Sequence, residues 1–223
     1  MRKIIKINLP VILIVFICGC SSIPFKHAEF LSLEGVDPQV LKADFAAKLP
    51  REFEVLNSAI FRYRHLRFSA LGITRVDTDK RLLSTAGFNH LGILLFDLTL
   101  NNEKIESRYI FPEFTKRGEF ASVMLKDVKN IYFNRAPNIL TEAKKEKGKV
   151  IFRETLKDGT LEYVFSGEGR FLAEKNYYES NKRIWSVSYY GYIFNNGKIY
   201  PKNIVLKHYK YGYDLIIKLK EIR

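Results

Sequence analysis

The sequence predicts a mainly β protein, an antiparallel meander of ten or eleven short strands with two helices. Three observations predict it. Aromatic residues make up 14% of the 223 residues, with 17 Phe and 13 Tyr, and aromatic side chains fit the half-buried surface of a pleated sheet. Apolar and polar residues alternate with period two over long stretches beyond residue 52, the pattern of strands with one buried face. Turn signals such as Asn101-Asn102, Asp158-Gly159 and Asn195-Asn196-Gly197 separate those stretches, which favours tight hairpins between neighbouring strands. The length suits one domain with a core large enough to need no metal or disulfide staple.

The chain opens on an address. Arg2, Lys3 and Lys6 precede a short apolar run, residues 9–18, with no acidic residue before Cys20. A basic segment followed by a short apolar one is an export signal. The run is too short to span a bilayer, which takes about 20 apolar residues. Ile17-Cys18-Gly19-Cys20 resembles the bacterial lipobox: an aliphatic residue, a small residue, Gly or Ala, then the cysteine that is lipidated. The resemblance implies cleavage after residue 19 and acylation of Cys20. Ser21 beside it is compatible with sorting to the outer membrane, facing the periplasm. Several acyl chains on one residue anchor stably where a single chain does not. The expected organisation is a signal peptide at 1–19, a lipidated N-terminus and tether at 20–36, and one β domain at 37–223. Without residues 1–19 the net charge falls from +13 to +10, and Cys20 becomes the only cysteine. No intrachain disulfide is then available.

The elements follow in order. Asp37-Pro38 offers an N-cap and a proline at the first helical position ahead of Val40, Leu41 and Phe45, so a short helix is expected, ended by Pro50. Phe53, Val55, Ala59, Phe61 and Tyr63 alternate with Glu52, Glu54, Ser58, Arg62 and Arg64 as a first strand. Leu66, Phe68 and Ala70 begin a second; residues 81–89, 94–100 and 105–111 are the next three, the last stopped by Pro112. Phe120, Val123, Met124, Val128, Ile131 and Tyr132 fall at helical spacing, which predicts an amphipathic helix over one sheet face. Residues 142–149 are rich in charge and read as a solvated loop. Leu161, Tyr163 and Phe165 alternate again; residues 170–175, 183–194 and 199–208 are further strands. Tyr211, Tyr213, Leu215, Ile217 and Leu219 close the chain.

Function classes narrow by what is missing. The sequence carries no P-loop, nucleophile elbow or spaced metal-ligand motif, and its four His are far apart. Gly167-Glu168-Gly169 lacks the third glycine of a dinucleotide fingerprint and reads as a hairpin or bulge. No catalytic residue, metal or cofactor is therefore assigned, and an enzyme is not expected. The positive charge fits anionic headgroups or acidic envelope components better than nucleic acid for an exported chain, and solubility alone would also account for it. Residues 93–96, 189–194 and 215–217 are apolar on both sides of their strands. Such an excess lines a cavity in a curved sheet, or marks places covered on both faces.

Two stretches carry a family resemblance. Residues 87–98, Gly87-Phe88-Asn89-His90-Leu91-Gly92-Ile93-Leu94-Leu95-Phe96-Asp97-Leu98, and the closing hairpin, with Pro201-Lys202-Asn203-Ile204-Val205-Leu206 and Tyr211-Gly212-Tyr213-Asp214-Leu215-Ile216-Ile217, resemble the LolB-like outer-membrane lipoproteins. These belong to the LolA/LolB-like superfamily, and the chain looks closest to a less characterised branch of it. The resemblance implies an unclosed antiparallel β-barrel of about eleven strands with covering helices and an apolar interior. It implies a carrier that binds acyl chains of a lipid or lipoprotein for transport or insertion at the outer membrane. A soluble periplasmic LolA-like carrier becomes an expected partner. Leu91, followed by Gly92, matches the family's exposed turn leucine, which passes cargo to the membrane. His90 stands where Pro is common, and the only Trp is Trp185, so the cargo class stays open between lipoprotein, glycolipid and other acylated products. Expected cavity-lining residues are Phe68, Phe96, Leu98, Tyr109, Phe165, Trp185, Tyr189 and Leu215. Two alternatives stand beside this: an envelope interaction module without a lipid cavity, and a hydrolase with an unrecognised acid pair.

Overall fold

The computed structural model describes residues 25, 35–116 and 119–223. The expected signal at 1–19 and Cys20 lie outside the described residues. Helix α1 (Pro38–Lys48) starts where expected: Asp37 Oδ1 accepts a hydrogen bond from Gln39 N at 2.7 Å, and Pro38 sits at the first helical position. Five strands follow as a meander, β1 (Glu52–Tyr63), β2 (Leu66–Asp77), β3 (Leu82–Phe88), β4 (Leu94–Asn101) and β5 (Lys104–Ile110). Pro112 does more than end β5. It opens a single helical turn, α2 (Pro112–Thr115), before the amphipathic helix α3 (Phe120–Tyr132).

The second half is β6 (Ala143–Glu146), β7 (Lys149–Leu156), β8 (Gly159–Ser166), β9 (Phe171–Glu179), β10 (Lys182–Asn195), β11 (Lys198–His208) and β12 (Tyr213–Ile222). All twelve strands form one antiparallel sheet in the order β5-β4-β3-β2-β1-β12-β11-β10-β9-β8-β7-β6. The two halves meet where β1 pairs β12, and β5 and β6 are the free edges of an unclosed barrel. The sheet has one strand more than expected, because residues 142–149 are not a loop. Ala143 pairs with Phe152 and Glu146 with Lys149, turned by Gly148 at φ +72°. An edge strand blunted by Lys144 and Lys145 reads as a solvated loop in sequence.

The helices cover one face of the sheet, the inner face. Leu125, Val128 and Ile131 of α3 and Leu41 and Phe45 of α1 pack into a single core cluster with inward residues of nearly every strand. Each large apolar side chain so buried contributes about 1.5–3 kcal/mol. On the outer face a small second cluster, Tyr190, Val205 and Ile216, is covered by Ile60 and by Phe25, whose ring lies 5.3 Å from that of Tyr190. That cover accounts for the outward Tyr190 and Ile216, while Ile193 and Phe194 further along β10 stay exposed. Gly191, at φ +60°, shifts the phase of β10. Tyr189 and Tyr192 therefore both face inward: the Tyr189 hydroxyl donates to Ile131 O at 2.8 Å, and Tyr192 packs on Phe45.

Candidate functional site

The inner face gathers seven of the eight expected lining residues. Phe96, Leu98, Phe165, Trp185, Tyr189 and Leu215 are buried in the core cluster, and Phe68 packs against it. Tyr109 does not join them. A bulge between Asp97 and Leu98 shifts β5 against β4, so Tyr109 pairs with Asp97 and stands exposed on the outer face. A register slip of one residue moves a side chain to the other face. The seven inward residues do not border an open tunnel. They pack against one another and against α3, so any guest would enter this space only by displacing a cover.

The covers differ in how firmly they sit. Helix α3 buries Leu125, Val128, Ile131 and Tyr132, and its polar groups are tied down as well. Tyr213 donates to Asp127 Oδ2 at 2.5 Å, Asn57 Nδ2 donates to the Tyr132 hydroxyl at 3.2 Å, and Lys129 reaches Glu103 at 2.7 Å. Helix α1 buries only Leu41 and Phe45 among its large apolar side chains. Its main tether is Lys42, whose Nζ donates to the carbonyl oxygens of Asn138, Ile139 and Thr141 at 2.9, 2.6 and 3.3 Å. A cleft of about 430 Å³ already opens beside α1, bounded by Val40, Phe45, Lys48 and Arg170. By burial alone α1 is the cheaper cover to lift. Near the other helix, an aromatic cluster closes one end of the barrel: the Phe114 ring stacks on Phe120 at 4.6 Å and meets Phe68 edge-on at 5.2 Å.

Charged groups are buried in this interior, and sequence patterning missed them. Asp127, 5% exposed, has its carboxyl pushed up to about 7 by burial, with the Tyr213 hydrogen bond opposing. Lys175 of β9, 2% exposed, donates to Phe133 O at 2.8 Å. Burial and the neighbouring Arg135 lower its ammonium to about 7, while Glu154 acts the other way. Arg135, 4% exposed, lies over the Phe53 ring at 5.4 Å and within electrostatic reach of Tyr132, Tyr189, Tyr192 and Tyr200. Among the described residues, no cluster of His, Cys, Asp and Glu is arranged to hold a metal ion.

One end of the barrel presents apolar side chains to solvent. The registers place the turns at 64–65, 89–93, 157–158, 180–181 and 209–212 together at this end. In the turn at 89–93 the Asn89 side chain accepts from Leu91 N and Ile93 N, both at 2.9 Å, and Gly92 takes φ +79°. An Asx turn of this kind fixes the backbone and leaves Leu91 73% exposed. Leu66, Ile93, Tyr209 and Tyr211 are exposed at the same end. The loop joining α3 to β6 adds Ile139 and Leu140, 80% and 87% exposed. Two adjacent aliphatics in an otherwise polar loop, just after Pro137, are the sequence signal that could have found them.

Comparison with known proteins places this architecture. The family described as "Protein of unknown function (DUF3261)" matches residues 69–221. No curated protein sequence matches the chain. Solved structures share the fold. A domain described as an outer membrane lipoprotein-sorting protein, from Vibrio parahaemolyticus, is 9% identical with a TM-score of 0.50, covering 83% of this chain and 91% of that one. A LolA superfamily protein from Nitrosomonas europaea is 8% identical with a TM-score of 0.56, covering 84% and 93%. A DUF1329 family protein from Desulfovibrio piger is 6% identical with a TM-score of 0.51, covering 83% and 90%. The LolA-like architecture expected from the sequence is thus observed, as a mainly β, unclosed sheet of twelve strands.

Proposed function

The chain belongs to the family described as protein of unknown function (DUF3261), and from that premise we propose that it is an acyl-chain carrier held at the outer membrane through lipidated Cys20. The observation that carries the reading is the combination of a helix-covered, aromatic-rich inner face with an exposed leucine held in a fixed turn. An acyl chain gains about 0.8 kcal/mol for each CH₂ taken from water, so a chain crossing an aqueous space needs an apolar enclosure. Phe68, Phe96, Leu98, Phe165, Trp185, Tyr189 and Leu215 supply one once a cover lifts. No covalent chemistry is needed, and binding rather than catalysis is the activity. The lipoprotein-sorting description of a fold neighbour agrees with a lipid or lipoprotein cargo; a soluble LolA-like carrier is the proposed donor.

Leu91 and Gly92 form the membrane-transfer turn in this reading. A large apolar side chain fixed in a turn contacts lipid at little entropic cost. Arg64, His65, Arg67 and His90 at the same end suit an anionic headgroup layer, where each nearby Lys or Arg contributes about 1 kcal/mol. The expected result for Leu91→Glu is unchanged binding of a fluorescent 16-carbon fatty acid and a transfer rate to liposomes reduced by about tenfold or more. Transfer at the unmodified rate removes Leu91 from the mechanism.

Helix α1 is the moving cover. Lys42→Met keeps the aliphatic stem but removes three hydrogen bonds to carbonyls, each worth about 1 kcal/mol net. The expected outcome in stopped-flow fluorescence is faster uptake of the same fatty acid, with modestly lower stability to urea. Uptake at an unchanged rate, in a chain that is measurably destabilised, assigns the gate to another element.

A further inference from the structure

Resting on the carrier reading, we propose that Arg135 forms an anion-binding subsite inside the barrel, which takes the carboxylate or phosphate of an acyl-chain amphiphile. Arg135 follows α3 on the segment that passes through the interior towards Asn138. Its guanidinium has no carboxylate partner among the described residues; its surroundings are the Phe53 ring and four tyrosines. A buried charge without a counter-charge is strongly destabilising, and an arrangement that retains one is explained if a ligand supplies the missing charge.

Lys175 is the second observation. It is buried beside Arg135 closely enough for the two cations to repel. Its hydrogen bonds go to the neutral carbonyls of Phe133 and Asn134. The one acid acting on it, Glu154, is occupied by Asn138 N, the Thr141 hydroxyl at 3.0 Å and the Tyr163 hydroxyl at 3.3 Å. Among the described residues, Arg135, Lys175 and the α1 tether Lys42 are thus three buried cations against one engaged carboxylate, and Asp127 belongs to the Tyr213 pair.

The third observation is a route. Pairing of β9 with β10 stops at Glu174 and Ser188, although both strands continue. The strands part there around a cleft of about 160 Å³ that Leu172, Tyr189 and Tyr192 border. Tyr189 and Tyr192 are also among the tyrosines within electrostatic reach of Arg135. This seam, which Glu168 also borders, is the proposed way in for the anionic group, whose chain then lies along the inner aromatic face. Guanidinium binds carboxylate and phosphate through paired N–H groups, so both headgroups fit the site and an alcohol does not.

The test is native mass spectrometry of the full chain, released from non-ionic detergent after incubation with equimolar hexadecanoic acid, hexadecyl phosphate and hexadecanol at pH 8. The expected bound population favours the two anionic amphiphiles over the alcohol by about tenfold or more; their ratio to each other says which headgroup the site prefers. Arg135→Met removes an uncompensated buried charge and is expected to fold. It should bind all three within about twofold of one another. Arg135→Lys keeps the charge and should keep a preference for anions. Equal binding of acid and alcohol by the unmodified chain overturns the subsite and leaves the carrier reading standing. An anion preference that survives Arg135→Met does the same. Binding of none of the three overturns both.

Discussion

At pH 8, Asp127→Asn is expected to unfold at a higher urea concentration than the unmodified chain. Asp127 is seated on the buried side of α3 and receives the Tyr213 hydroxyl at 2.5 Å. Burial raises its carboxyl from 3.8 to about 7. The sign follows from proton counting. Between pH 3.8 and 7 the folded chain holds a proton that the unfolded chain has lost, so stability falls as pH rises through that window. Above pH 7 the fold carries the full cost of a buried carboxylate. Asparagine has no such cost and can still accept from Tyr213. The expected gain is on the order of 3 kcal/mol at pH 8, shrinking to nearly nothing by pH 4. A gain independent of pH would show that packing of the amide, not ionisation, is responsible. A loss at pH 8 would show that the charged Asp127–Tyr213 pair holds α3 in place.

Replacing Gly87 with valine should destabilise the chain by about 2–3 kcal/mol, the upper part of the range for overpacking a filled core. Valine has a higher strand propensity than glycine, so local preference alone predicts the opposite sign. Tertiary contact decides it. Gly87 lies opposite Phe96 in the β3–β4 register, and the Phe96 ring lies across the glycine. A Cβ at Gly87 would stand 2.3 Å from Phe96 Cζ. The ring cannot simply rotate away, because Phe120 at the start of α3 packs on it at 5.7 Å. Urea unfolding of Gly87→Val and Gly87→Ala checks this; alanine should show a smaller loss of the same sign. A neutral valine would mean that Phe96 has space to leave, which would make this end of the barrel an opening.

Much of the fold was legible in the sequence because its signals are local. Asp37-Pro38 marks α1, the spacing of Phe120 to Tyr132 marks α3, and alternation between Asn and Gly turns marks the strands. The β6 hairpin was not legible, because a charged edge strand and a solvated loop have the same composition. Tyr109 was misplaced for a different reason. A bulge in β5 is a pairing event between strands, and nothing at Tyr109 itself records it. The buried charges were hidden most completely. Lys175, Arg135 and Asp127 look like any other surface charge in a chain with 37 Lys and Arg. Only the packing of α3 on β4, β5 and β12, and of the segment after it on β1 and β9, turns them inward. The exposed Leu91 was legible as a turn residue, but the Asn89 side chain that holds it was not.

Native mass spectrometry of the full chain, taken from non-ionic detergent with and without saturating hexadecanoic acid, decides whether the inner face takes up acyl chains. An acyl-chain carrier is expected to show non-covalent adducts of acylated molecules as purified, exchanging for hexadecanoic acid when it is supplied. A chain that stays bare in both preparations would contradict the claim, and its inner face would then be a core and nothing more.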